Sequence, residues 1–91
     1  MIKDCQSTII IFIMKSELSE LNKKIALKIK LERTKRNLSQ EGLANIANVS
    51  RITIGNIERF IASPTIDTLE KIANALNMEF IELVDVSKFD L

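Results

Sequence analysis

The chain has no histidine, no tryptophan and no tyrosine, and only one cysteine, one proline and two glycines among its 91 residues. Each shortage removes a class of chemistry. A structural zinc site needs about four nitrogen or sulfur ligands, which Cys5 alone cannot approach. No disulfide can close within the chain, in keeping with a reducing cytoplasm. Without imidazole there is no nucleophile–histidine pair, and two scattered glycines make no phosphate-cradling loop. No enzyme is expected, and no cofactor is implied. The most apolar run, Thr8 to Met14, has seven residues, against roughly 20 needed to cross a bilayer. It has neither the start nor the cleavage pattern of a secretory signal, nor the basic face of a membrane-surface helix. No membrane partner is expected.

What is present is isoleucine, leucine, alanine, lysine and glutamate in quantity, the profile of a helical domain. The length suits one domain. A chain this short buries only roughly 60–65% of its unfolded surface, so a second copy is a natural source of extra core. The net charge of +1 hides an asymmetry. Lys15 to Ile61 carries ten basic and five acidic residues, whereas Ala62 to Leu91 carries two basic and six acidic ones. One end suits an anionic partner and the other does not.

The β-branched content of Thr8–Met14 favours a strand over a helix. Such a strand would pair with its copy in a second subunit or with Val84–Phe89; alternatively, these residues precede a natural start at Met14. Ser16 is the expected cap of a first helix reaching about Arg36, with Leu18, Leu21, Ile25 and Ile29 at helical spacing and Asn37 closing it. Lys23, Lys24, Lys28, Lys30, Lys35 and Arg36 form its polar face. Ser39 caps a second helix through Leu43, Ala44, Ile46 and Ala47. Asn48 suits a left-handed turn, and Ser50 caps a third helix over Arg51 to about Arg59. Thr65 or Asp67 starts a fourth helix through Leu69, Ile72, Ala73 and Leu76, closed by Asn77. Glu79–Val84 reads as a short fifth.

Residues 40–60 therefore place two short helices about a tight turn. Ala44 and Ala47 permit a close crossing, and Leu43, Val49, Ile54 and Ile57 lock it. This geometry presents the start of the second helix outward, where it can enter a DNA major groove.

The stretch Leu38-Ser-Gln-Glu-Gly-Leu-Ala-Asn-Ile-Ala-Asn-Val-Ser-Arg-Ile-Thr-Ile-Gly-Asn-Ile-Glu-Arg resembles the Cro/repressor (Xre-type) helix-turn-helix family. Ser63-Pro-Thr-Ile-Asp-Thr-Leu-Glu-Lys-Ile-Ala-Asn-Ala-Leu76 resembles that family's fourth helix. The likeness covers residues 23–84 and implies an all-α, five-helix lambda-repressor-like DNA-binding domain, to which the apolar run would add a short N-terminal strand. Residues 1–22 would be an extension including the start of the first helix, and 85–91 a tail. The implied function is a cytoplasmic, sequence-specific transcriptional regulator. It would be a repressor, binding a pseudo-palindrome in double-stranded DNA as a homodimer.

By position, the resemblance makes Gln40 a phosphate anchor and turns Ser50, Arg51, Ile52, Thr53 and Asn56 toward the groove, with Arg59 among the DNA-binding set. Their chemistry suits these roles. Arginine grips guanine with two hydrogen bonds, asparagine does so with adenine, and Ile52 or Thr53 can touch a thymine methyl. Ser50 has a competing role as a plain cap, and Gln40 as a first-turn residue. The likeness pairs Arg33 with Glu58 as a structural tie. Met78, Phe80, Ile81, Leu83 and Val84 fall where relatives form dimers, or else complete the core.

Two departures stand out. Phe60-Ile61 replaces the family's glycine and following polar residue, and phenylalanine resists a left-handed cap, so the helix is expected to run on or end differently. Gly55 lies inside the third helix and leaves room for close approach to DNA. The exposed Phe60-Ile61 step and the apolar N-terminal run also fit a protein-interaction module of antitoxin type, which would bind a partner protein.

Overall fold

The computed structural model describes residues 19–89, and five helices make up its regular structure: α1 (Glu20–Lys35), α2 (Gln40–Ala47), α3 (Arg51–Glu58), α4 (Ile66–Ala75) and α5 (Phe80–Val84). Their starts follow from hydroxyl chemistry. Ser19, Ser39, Ser50 and Thr65 stand in extended backbone and accept the third-residue amides of Asn22, Gly42, Thr53 and Thr68 at 2.9–3.2 Å. Each bond satisfies a donor the helix cannot pair internally. α5 begins differently, with Glu82 accepting the amide of Glu79 at 2.9 Å. Of the two candidates for the fourth start, Thr65 is the cap. The first helix is capped by Ser19; Ser16 and the Thr8–Met14 run lie outside the described residues.

Four of the five helix ends are as uniform. Asn37, Asn48, Phe60 and Asn77 have φ of 56, 60, 62 and 59°. After each, the next amide reaches back to a carbonyl five residues earlier: Leu38 to Arg33, Val49 to Ala44, Ile61 to Asn56 and Met78 to Ala73. These are Schellman turns, which satisfy carbonyls left over by the helix. Phe60 corrects the expectation that phenylalanine would refuse the left-handed cap: α3 stops at Glu58 and Phe60 takes that conformation.

Ile29, Leu43, Ile54, Ile57, Ile72, Leu76 and Leu83 are the largest wholly buried side chains. Burying each from water contributes about 1.5–3 kcal/mol before chain entropy opposes it. Ala26, Ala44, Ala47 and Ala73 fill the close approaches between helices. Leu21, placed on the apolar stripe of the first helix by its spacing, is exposed instead, and Ile46 of α2 is exposed as well. The core runs past α5: Val86 is buried and Phe89 packs on it. Asp85–Phe89 forms a turn rather than the strand considered as a partner for the N-terminal run. Lys28 donates to the Glu82 and Asp85 carbonyls at 2.7 and 3.0 Å, tying α1 to the end of α5. No helix among the described residues is long and apolar enough to cross a membrane.

Candidate nucleic-acid interface

α2 and α3 meet through Ala44, Ala47, Leu43, Ile54 and Ile57, all buried, with Val49 half-buried in the turn between them. Small residues at the crossing let the backbones approach, so the start of α3 stands clear of the core. Arg51 and Ile52 are exposed there, Ile52 at 65% of its full accessibility. Thr53 and Asn56 are half-buried at the edge of the same surface, and Arg59 is exposed one turn further on. Ser50 is a working cap. Its oxygen accepts the Thr53 amide at 3.0 Å and lies 2.8 Å from the Thr53 hydroxyl.

Behind this surface is a buried polar tie. Arg33 Nε and Nη2 donate to the two carboxylate oxygens of Glu58 at 2.8 and 2.9 Å, and Arg33 Nη1 donates to the Leu38 carbonyl at 2.7 Å. The forked pairing gives direction as well as charge compensation. The Glu58 carboxylate raises the Arg33 pKa above its ordinary value, against the opposing effect of burial. Gln40 Nε2 completes the arrangement by donating to Glu58 Oε1 at 3.1 Å. Every buried side-chain nitrogen and oxygen among the described residues has a partner. One carboxylate thus aligns α1, the α1–α2 turn, the start of α2 and the last turn of α3.

The helix-turn-helix family profile matches residues 29–83. The chain belongs to the helix-turn-helix family, of the Cro/repressor (Xre) type. It is 38% identical over 60 residues to the immunity repressor protein of Bacillus phage phi105, an alignment covering 66% of this chain and 42% of that one. Among solved structures, the restriction-modification controller protein C.AhdI from Aeromonas hydrophila is similar at a TM-score of 0.66 and 32% identity, over 68% of this chain and 94% of that protein. An HTH_3-family transcriptional regulator from Vibrio cholerae matches at 0.68 and 36% identity, over 76% of this chain and 38% of that one. The chain therefore spans about two fifths of the lengths of the phage repressor and the Vibrio regulator. Family and fold are those of transcriptional regulators.

Within this helix-turn-helix, the residues singled out from the sequence fall into two groups. Ser50, Arg51, Ile52, Thr53, Asn56 and Arg59 share α3 and its flanking caps. Gln40 joins them indirectly, through Glu58. A bond absent from the sequence reading links two of the first group: Arg59 Nη2 donates to Asn56 Oδ1 at 3.0 Å. Their i, i+3 spacing is the signal that carries it. Gly55 lies beside this pair. A Cβ there would meet Gln40 Oε1 at 3.5 Å and Arg59 Nη2 at 3.9 Å, ordinary contacts, so internal packing does not demand glycine.

The cations of α1 are partly engaged within the fold. Arg36 and Lys35 approach the Glu32 carboxylate at 2.7 and 3.4 Å, and Lys28 serves the end of α5. The five residues at the family's dimer region also divide. Leu83 is core, Met78, Phe80 and Val84 pack on it, and Ile81 is 75% exposed.

Proposed function

We propose that the chain is a sequence-specific DNA-binding transcriptional regulator, with residues 23–84 as the DNA-binding domain and α3 as the helix that enters the major groove. The observation carrying this reading is the outward start of α3, where Arg51 and Ile52 stand exposed while Glu58, at its other end, is fastened to α1 and α2. A helix presented in this way reads base edges with its first residues. Arg51 has the donors for a guanine, and Ile52 the apolar surface for a thymine methyl. Gln40, Ser50 and Thr53 border the same face and supply hydrogen-bond donors for phosphate oxygens.

Binding as a homodimer would set two α3 helices into successive grooves, with half-sites about 34 Å apart. Ile81 on α5 is the apolar residue offered to a second copy. Repression is the favoured outcome, because the phage relative is an immunity repressor. The acidic C-terminal portion would then face away from the phosphates.

Selection of bound sequences from a random duplex library, with Arg51→Ala in parallel, tests the reading. A two-fold symmetric site in which the variant loses one base preference supports it. Binding that is blind to sequence and sensitive only to salt refutes it. A second reading, an antitoxin-type module for a partner protein, is favoured by Ile61, 62% exposed beside Phe60. Copurification of one specific protein, lost in Ile61→Lys, would support that role.

A further inference from the structure

Asparagine in a major groove normally has two faces to offer, a carbonyl that accepts and an amide that donates. Together they match adenine, which presents N7 as an acceptor and its N6 amino group as a donor. In this chain one of the two lone pairs of the Asn56 carbonyl is taken by Arg59 Nη2, 3.0 Å away, which sets a positive charge beside the other. The contact also fixes which way the amide points, since a guanidinium has no acceptor and must meet oxygen. The Nδ2 group, a donor, is thereby left beside a cation.

We propose that Arg59 is a positioning residue that sets the base preference of Asn56, turning it from adenine to guanine; the inference rests on the DNA-binding reading of α3. Guanine presents two acceptors, N7 and O6, to the major groove. The Asn56 amide and the Arg59 guanidinium together form a surface of donors that complements both. Adenine would bring its N6 amino group against that same surface, where the one free lone pair of the Asn56 carbonyl lies beside a positive charge that repels the amino hydrogens. Water weakens this discrimination at the exposed surface, and burial of the pair against a base edge strengthens it.

The half-burial of Asn56 helps to hold the arrangement. Arg59 Nη2 lies 3.9 Å from where a residue-55 Cβ would stand, so the guanidinium lies back along α3 toward Asn56.

The test is selection from a random duplex library at one near-physiological salt concentration, with the full chain and the variants Asn56→Ala, Arg59→Met and Arg59→Lys. Asn56→Ala identifies the base pair that Asn56 reads, as the position where preference disappears. The wild type is expected to prefer guanine there. Arg59→Met, which keeps the stem and removes the donor, is expected to shift the guanine-to-adenine ratio toward adenine by roughly ten-fold, leaving the other positions unchanged. Arg59→Lys restores a charged donor and is expected to return part of the guanine preference, a rescue that a purely structural role would not produce. Thermal melts accompany each variant, and Arg59→Ala replaces Arg59→Met if the latter is unfolded. A wild-type preference for adenine at that pair, an unchanged ratio without the donor, or no position sensitive to Asn56→Ala overturns the proposal. Failure of the wild type to select any site overturns the DNA-binding reading itself, and this inference with it.

Discussion

The ends of α2 and α3 are closed by the same main-chain hydrogen bonds and by opposite kinds of residue. At the first, the Val49 amide reaches Ala44 at 3.0 Å across a left-handed Asn48; at the second, the Ile61 amide reaches Asn56 at 2.8 Å across a left-handed Phe60. Asparagine tolerates that conformation, whereas a bulky side chain costs about 1–2 kcal/mol there. Phe60 does not recover the difference by joining the core, since it remains 38% exposed. The two turns are therefore held by different means. Asn48 is a residue suited to its turn. Phe60 is held in its turn by what precedes it, because Glu58 is gripped by Arg33 and Gln40 and fixes the last turn of α3. Strain of this kind persists only where the surroundings over-determine it.

The most damaging way to break the comparison is to remove that grip. Glu58→Ala leaves the Arg33 guanidinium buried without its carboxylate, and a loss of about 3–5 kcal/mol is expected. Urea unfolding checks this; a midpoint close to that of the wild type would mean that the end of α3 is held otherwise. Next in size, Asn48→Val places a β-branched residue in the left-handed turn and is expected to lower stability by about 1–3 kcal/mol, because the asparagine is exposed and little packing changes. Phe60→Gly should act in the opposite direction. Relief of the backbone, less the greater freedom of glycine in the unfolded chain, predicts a gain of up to about 1 kcal/mol. A fall in melting temperature would show that the phenyl ring repays its strain through contacts.

The smallest effect concerns a third end, that of α1. Arg36, with Lys35 adding to it, holds the Glu32 carboxyl below its ordinary value of 4.5. A carboxyl with a lowered folded pKa adds stability that is complete above the unfolded value and is lost as pH falls through the folded one. Both cations are partly solvated, so the contribution is about 0.5 kcal/mol. The stability difference between wild type and Glu32→Gln should be present at neutral pH and vanish in acid. A constant difference would assign it to packing.

These ends also mark what could be read from the sequence. Ser39, Ser50, Asn37, Asn48 and Asn77 have local preferences strong enough to name their own roles, and the alanine spacing of α2 announces its close crossing with α3. Phe60 went against its preference because a tertiary contact 25 residues long in sequence, from Arg33 to Glu58, decides the backbone there. Leu21 was misplaced for a different reason: period alone locates a stripe but not its width. At the candidate interface, residue types singled out the candidate residues of α3, while the coupling of Asn56 to Arg59 depends on rotamers that spacing permits and does not specify. Gln40 was singled out for a phosphate role, but its bond to Glu58 required knowing how α2 and α3 face each other.

The asparagine turns have one more consequence, for the slow chemical ageing of the chain. Asparagine deamidates when the following backbone nitrogen attacks its side-chain carbonyl, a reaction that needs that nitrogen unencumbered and a small successor. After Asn37, Asn48 and Asn77 the successors are Leu38, Val49 and Met78, and each of their nitrogens is tied back to a carbonyl at 2.9–3.1 Å. The folded turns therefore protect the residues that form them. Mass spectra of protein stored at alkaline pH should show these three amides lasting far longer in the native chain than in urea, so that the lifetime of the turns is coupled to the integrity of the fold.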